Sequence, residues 1–256
     1  RMKHTTRKQV FIIGAQRSGT SYLLKLMQNY TEMVTASPMR PEPKFFIDDE
    51  LYSKGIEFYE NKFYSIRYST DLFYLEKSTS YIEHEKAAQR IHHHYPHAYI
   101  IAVLRHPIDR LMSNYLFSVQ NGVETRPIEQ AIEEGPPNNY DPNQFSVSPY
   151  DYVKRGLYIN YLNLWEKYFP RENIILILFE DIISNLSAYQ GFLETIGIYS
   201  KQCPENFGQQ VNSTQKQSTA AQISEPLLRK LNEQYQEASA RLDESWGINT
   251  LSTWFL

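Results

Sequence analysis

The sequence predicts an α/β protein: a central parallel β-sheet flanked by helices in three layers, P-loop-like in its first turn. Three observations predict it. Val10-Phe11-Ile12-Ile13 is an apolar strand that runs into the glycine-bracketed turn Gly14-Ala15-Gln16-Arg17-Ser18-Gly19 and then into a helix. Tyr99–Leu104 is a nearly unbroken apolar run, as a central parallel strand covered on both faces requires. Strand-like runs then alternate with segments of helical period, the pattern of a doubly wound sheet whose ligands bind beyond the carboxyl ends of the strands.

The elements follow in order. Leu23, Leu26, Met27 and Tyr30 recur at helical spacing and give the first helix one apolar face. Pro38, Pro41 and Pro43 each push the preceding residue toward extended geometry, so 37–44 reads as a stiff loop, and that loop holds Glu42. A short strand over 72–76 and a helix over 83–95 come next. Tyr99–Leu104 ends at Arg105, and Pro107 starts a helix whose period is kept by Ile108, Leu111, Met112, Tyr115, Leu116 and Val119. The Pro- and Asn-rich stretch 122–148 reads as loop or partial lid. A long helix is predicted over 150–168, with Val153, Leu157, Tyr161, Leu164 and Trp165 on its face, and a buried strand over 174–179. The polar stretch 202–222 reads as loop, after which Leu227, Leu228, Leu231, Tyr235 and Leu242 mark a last helix.

Composition narrows the classes. The 256 residues, 41% of them hydrophobic, fit one domain over 1–256 with a full core. A net charge of -3 argues against broad electrostatic binding to nucleic acid. No run reaches the length of a membrane span, and the apolar run after the basic start is too short for a signal-peptide core. Cys203 stands alone, so no intramolecular disulfide forms and a cytoplasmic setting is the expectation. His92, His93 and His94 point around a helix and do not converge on one ion, so no metal site is expected.

The first turn carries the chemistry. Successive N–H groups in such a turn, with the positive end of the helix behind them, favour a bound phosphate. The spacing of Gly14 and Gly19 matches the start of G-x-x-x-x-G-K-[S/T], but Thr20 stands where the lysine belongs and the cation sits inside the loop, at Arg17. Triphosphate chemistry needs that lysine on the β/γ-phosphates. Thr20 therefore decides against a kinase or NTPase, although 174–179 followed by Glu180 and Asp181 has the look of a Walker B strand. A non-catalytic nucleotide-binding module stays open. At the second strand end, Arg105 followed by Ser113 offers another phosphate pocket, and two pockets suit a bis-phosphorylated nucleotide.

On these residues the sequence resembles the sulfotransferases that use 3′-phosphoadenosine 5′-phosphosulfate (PAPS), in the branch that includes the heparan-sulfate enzymes and many bacterial proteins. Gln16-Arg17-Ser18-Gly19-Thr20-Ser21 is similar to the family's 5′-phosphosulfate loop, with Arg17 where many members carry lysine. Leu104-Arg105-His106-Pro107 through Ser113 is similar to its 3′-phosphate motif, whose Arg and Ser bind that phosphate. Pro41-Glu42-Pro43-Lys44-Phe45-Phe46 resembles the segment whose glutamate is the catalytic base, with Pro41 in place of the usual lysine. Glu76-Lys77-Ser78-Thr79-Ser80-Tyr81 resembles the segment that supplies a second active-site lysine, and Arg155-Gly156-Leu157-Tyr158 the G-x-Y helix. Asn212 through Ser218, with Gln215 and Lys216, falls where a late loop closes over the nucleotide.

The resemblance implies catalytic roles for Glu42, Lys77 and Arg17. It also implies donor contacts from Gln16, Arg17, Ser18, Gly19, Thr20, Ser21, Arg105, Ser113, Tyr158, Gln215 and Lys216. Sulfuryl transfer builds charge on the oxygen of the departing nucleotide, which cations such as Arg17 and Lys77 stabilise, and a carboxylate that takes the acceptor's proton makes a hydroxyl a better nucleophile. Lys77 could equally serve an ion pair with a neighbouring acid. Related bacterial enzymes modify saccharides or small hydroxylated metabolites, and some lie inside polyketide-type assembly lines. The 26 basic against 29 acidic residues, with 20 Tyr and 13 Phe, favour a slim, mostly apolar acceptor over a dense polyanion. The acceptor expected is therefore the β-hydroxyl of an acyl chain on an acyl carrier protein.

Overall fold

The computed structural model describes residues 8–64, 72–199, 207–208 and 223–256. Along them run β1 (Lys8–Gly14), α1 (Thr20–Tyr30), β2 (Val34–Thr35), α2 (Asp49–Ser53), α3 (Ile56–Phe63), β3 (Phe73–Lys77), α4 (Glu85–His94) and β4 (Tyr99–Leu104). There follow α5 (Pro107–Gln120), α6 (Ile128–Glu134), α7 (Tyr158–Trp165), β5 (Ile174–Leu178), α8 (Phe179–Ser184), α9 (Leu186–Ile196), α10 (Glu225–Trp246) and α11 (Thr250–Phe255). The chain divides into two compact units, Arg1–Leu104 with Asn163–Val211 and Arg105–Leu162 with Asn212–Leu256. Cys203 and the late-loop residues Gln215 and Lys216 lie outside the described residues.

The first unit holds a five-stranded sheet in the order β2-β3-β1-β4-β5. Every pairing is parallel. Side chains alternate between its two faces. Val10, Ile12, Leu75, Ile101, Val103, Ile175 and Ile177 form one core with Leu23, Leu24 and Met27 of α1 and Phe192, Leu193 and Ile196 of α9. Phe11 serves the other face, where it meets Phe46 at 5.6 Å and Tyr95 at 6.0 Å between ring centroids. Both faces are covered, so Val10–Ile13 of β1 and the whole of β4 are apolar. The expected α/β class, a parallel sheet between helical layers, is the one observed. Connections run outward in one direction from β1 and in the other from β4, which puts the topological switch point between those two strands, where doubly wound sheets bind their ligands.

The second unit is helical. Leu111 and Tyr115 of α5, Ile128 and Ala131 of α6, and Leu231 and Tyr235 of α10 share its core with Tyr150 and Tyr152. Three sequence expectations change across the two units. The 122–148 stretch is not all loop: Pro127 precedes α6, which forms because Ile128 and Ala131, one turn apart, are both buried. The helix expected over 150–168 shrinks to α7 behind a 3-10 turn at Lys154–Gly156. That turn is packed tightly at Gly156, where a β-carbon would lie 3.0 Å from Pro107 and 3.0 Å from the Tyr235 ring. The strand expected over 174–179 stops one residue early because Phe179 opens α8. Among the described residues no helix is long and apolar enough to cross a membrane.

Candidate active site

The turn after β1 is shaped by two glycines. A β-carbon on Gly14 would lie 2.7 Å from Ile82 Cγ2 and 3.2 Å from the Thr79 carbonyl oxygen. Gly19 has φ +84, and its β-carbon would collide with the Phe179 ring, with Cε2 at 2.7 Å. Only a residue with no side chain lets this turn approach α8 and the β3–α4 connection so closely. Gly19 caps α1 without a side-chain hydrogen bond, and the first turn of α1 carries no acidic residue. The positive end of this eleven-residue helix thus has the chemistry to accept an anion. Arg17 is exposed in the turn with φ 69, Gln16 and Ser21 are half-buried, and Ser18 and Thr20 are buried. Gln16 Nε2 donates to Ser80 Oγ at 3.5 Å. Ser18 Oγ has no hydrogen-bond partner among the described residues.

Next to β1, strand β3 brings the second group. The register pairs Ile12 with Lys77, and Ser78 N–H donates to the Ile12 carbonyl at 3.1 Å, so Lys77 to Thr79 emerge beside the turn at the carboxyl ends of their strands. Lys77 Nζ donates to Glu42 Oε1, joining two residues that the sequence placed separately. Thr79 completes the hold: its N–H donates to Glu42 Oε2 at 2.9 Å, and its hydroxyl lies 3.2 and 3.1 Å from the two carboxylate oxygens. Lys77 has therefore both a place at the site and the ion pair that was its alternative role. A carboxylate offers about four lone-pair directions, and these donors leave capacity for another hydroxyl. The Glu42 side chain is 15% exposed, so an incoming group can reach it.

In the second unit, Arg105 follows directly on β4. Tyr158 OH donates to the Arg105 carbonyl at 2.7 Å and lies 3.4 Å from its N–H. Tyr158 is itself buried and packs on Trp254 at 6.0 Å. Pro107 at the start of α5 and His106 Nδ1, which accepts from Ile108 N–H at 3.2 Å, fix the helix start that follows Arg105, and Ser113 lies half-buried on that helix.

A family model described as the sulfotransferase domain matches residues 7–232. The chain belongs to the sulfotransferase family. Among sulfotransferases of known identity, heparan sulfate glucosamine 3-O-sulfotransferase 5 of Mus musculus is 31% identical over 170 residues, which are 66% of this chain and 47% of the mouse protein. The bifunctional heparan sulfate N-deacetylase/N-sulfotransferase 1 of Xenopus laevis is 26% identical over 174 residues, 66% of this chain and 20% of that protein. The chain spans about half the length of the first of these relatives or less. In fold it resembles the crystal structure of a sulfotransferase from Alicyclobacillus acidocaldarius, with a TM-score of 0.75 at 22% identity over 97% of this chain and 98% of that one. The family match excludes the kinase or NTPase reading. In this chain the Walker-like stretch is β5, an edge strand, and Glu180 and Asp181 belong to α8.

Two features of the site were not read from the sequence. Thr79 is one of them: its place two residues beyond Lys77 at a strand end is the signal the sequence offers for it. Glu76 carried no signal at all: it is wholly buried, and burial pushes its carboxyl up to about 7.

Proposed function

We propose that this chain is a sulfotransferase that uses PAPS to sulfonate an acceptor hydroxyl, with Glu42 as the base. The observation that carries the reading is the Glu42 carboxylate, held by Lys77 and Thr79 at the carboxyl end of β3 beside an uncapped helix terminus. The residues around that terminus fit a phosphosulfate: the donors at hand are N–H groups, Arg17, Gln16 and hydroxyls, and the Ser18 hydroxyl still lacks a partner among the described residues. On this reading Gln16, Arg17, Ser18, Gly19, Thr20 and Ser21 hold the 5′ end of PAPS. Arg105, Ser113 and Tyr158 hold the 3′-phosphate, and Gln215 and Lys216 close the late loop. Bound PAPS supplies an activated sulfuryl group. Glu42 accepts the proton of the acceptor hydroxyl at a carboxylate oxygen, and Arg17 and Lys77 offset negative charge near the departing phosphate.

For the acceptor, the near-balanced charge supports a β-hydroxyacyl chain on a carrier protein. A saccharide hydroxyl is the second reading, favoured by the names of the curated relatives. Mass spectrometry with PAPS and both acceptors, a β-hydroxyacyl pantetheine and a heparan-type oligosaccharide, tests the two side by side. Sulfonation of the acyl chain alone supports the first reading, and sulfonated oligosaccharide with an unmodified acyl chain replaces it. Calorimetry tests the donor: adenosine 3′,5′-bisphosphate binds far more tightly than ATP, and equal affinity overturns the two-phosphate assignment. Turnover persists in EDTA, because the cations of this reading are Arg17 and Lys77. Loss restored by magnesium overturns that part.

A further inference from the structure

Behind Lys77, strand β3 carries a second carboxylate that the reaction above does not use. Glu76 is wholly buried. The groups that face it are Tyr59 of α3, Ser78 and Tyr81 just beyond the strand, and the charge of Glu42, while Gln9 of β1 reaches the same cluster through Tyr59 and Tyr64. Ser78 Oγ donates to Glu76 Oε1 at 2.6 Å, and Tyr59 OH donates to Oε2 at 2.5 Å. Tyr81 is a third hydroxyl bonded to the same carboxylate. Burial holds the Glu76 carboxyl near 7, against the pull of these three hydroxyls.

Two of the hydroxyls act a second time. Ser78 Oγ accepts from the backbone N–H of Lys44 at 2.9 Å, and Tyr81 OH accepts from the backbone N–H of Phe46 at 3.3 Å. Both amides belong to the loop that carries Glu42. Lys44 has φ 52, a left-handed conformation that a residue with a side chain resists and that neighbouring contacts must hold. A hydroxyl has one proton to give. With that proton committed to Glu76, the Ser78 and Tyr81 oxygens turn lone pairs toward the loop, so the buried carboxylate sets the direction of both ties.

We propose that Glu76 is a positioning residue: through Ser78 and Tyr81 it fixes the Lys44–Phe46 backbone and so holds Glu42 against Lys77 and Thr79. The inference rests on Glu42 being the base. The test is a double-mutant cycle in the full chain, with turnover read on both acceptor probes, affinity for adenosine 3′,5′-bisphosphate by calorimetry, and amide hydrogen exchange over 42–47. Glu76→Gln lowers kcat by about 10- to 10²-fold with nucleotide affinity unchanged, as expected for a misplaced base. It also speeds exchange of the Lys44 and Phe46 amides, and it costs nothing further in a Glu42→Gln background.

Wild-type kcat in Glu76→Gln beside an inactive Glu42→Gln overturns the proposal alone. The same fold-loss in both backgrounds overturns it too, because that is the mark of a general structural role. Wild-type turnover in Glu42→Gln removes the base assignment, and this proposal with it. If Glu76→Gln does not fold, the combined Ser78→Ala and Tyr81→Phe variant decides. It cuts both ties and leaves the carboxylate, and it lowers kcat with faster exchange if the proposal holds; unchanged kcat or exchange overturns it.

Discussion

Glu124 in the second unit accepts from the N–H groups of Thr125 and Arg126 at 3.0 Å each, from Arg126 Nε at 2.9 Å and Nη2 at 2.8 Å, and from Tyr152 OH at 3.0 Å. Glu42 in the first unit accepts from Lys77 and Thr79. Both are carboxylates paired with a cation. Glu124 is saturated by its neighbours Thr125 and Arg126 together with Tyr152, and it is buried, so nothing further can bind it. Glu42 joins segments 35 residues apart, keeps acceptor capacity and sits at a strand's carboxyl end. On the proposed reading, an ion pair alone does not mark a reactive site; unsaturation and placement do.

The largest expected effects test that contrast directly. Glu42→Gln keeps the shape of the side chain and removes its basicity, so on the proposed reading turnover falls by about 10²–10⁴-fold, with melting temperature and nucleotide affinity near wild type. Glu124→Gln does the reverse: it loses charge-assisted hydrogen bonds worth about 1.5–3 kcal/mol of stability, and the folded enzyme turns over normally. Kinetics and thermal unfolding on the two variants check both outcomes. A Glu124→Gln enzyme as impaired as Glu42→Gln would erase the distinction.

Arg105→Ala comes next. On the proposed reading it removes a charge-assisted contact to the 3′-phosphate, and adenosine 3′,5′-bisphosphate binds more weakly by about 1.5–3 kcal/mol, with ATP affinity little changed. Calorimetry on the two nucleotides reads this, and unchanged bisphosphate affinity removes Arg105 from the site. A smaller effect separates the two kinds of glycine. Gly19 and Gly247 have φ +84 and +64, but only Gly19 has atoms within 4 Å of where a β-carbon would lie. Alanine at either position costs roughly 1–2 kcal/mol in the left-handed region, and Gly19→Ala adds roughly 1–3 kcal/mol of overpacking against Phe179. Equal losses in thermal unfolding would show that the turn gives way around the clash.

Legibility in the sequence followed periodicity and motif. Strands β1 and β4, the turn between Gly14 and Gly19, α1, α5 and α10 were readable because a long apolar run or a sustained helical period marks each. Helices α2, α3, α8, α9 and α11 were not placed, α11 lying beyond the helix expected to be the last, and α6 was hidden inside a Pro- and Asn-rich stretch, since a seven-residue helix gives only two turns of signal. The turn before α7 packs at Gly156 against Pro107 and Tyr235, residues distant from it in sequence. The same holds at the site. Glu42 and Lys77 were each legible as residues, but their pairing depends on the β1–β3 register and on hydroxyls that hold the Glu42 loop from behind.

A remaining effect is a slope in stability against pH, and here two buried carboxylates bend in opposite directions. The Glu76 carboxyl is raised from 4.5 to about 7 by burial, so between those values the folded protein holds a proton that the unfolded chain has lost. The unfolded state then binds fewer protons, and stability falls as pH rises through that window. The contribution is full below about 4.5 and gone above about 7. Tyr59 and Tyr81, which face Glu76, are pushed well above the ordinary tyrosine range by burial and do not titrate there. For Glu124, burial pushes up but the hydrogen bonds from Arg126 and Tyr152 outweigh it, so its carboxyl lies below 4.5 in the folded state. Its contribution is present above 4.5 and is lost as pH falls through the folded value. Chemical denaturation across pH 3–8 separates the two: Glu76→Gln flattens the decline between 4.5 and 7, while Glu124→Gln flattens the acid limb. A wild-type decline that survives Glu76→Gln would assign the proton to another group and leave Glu76 ionised in the fold.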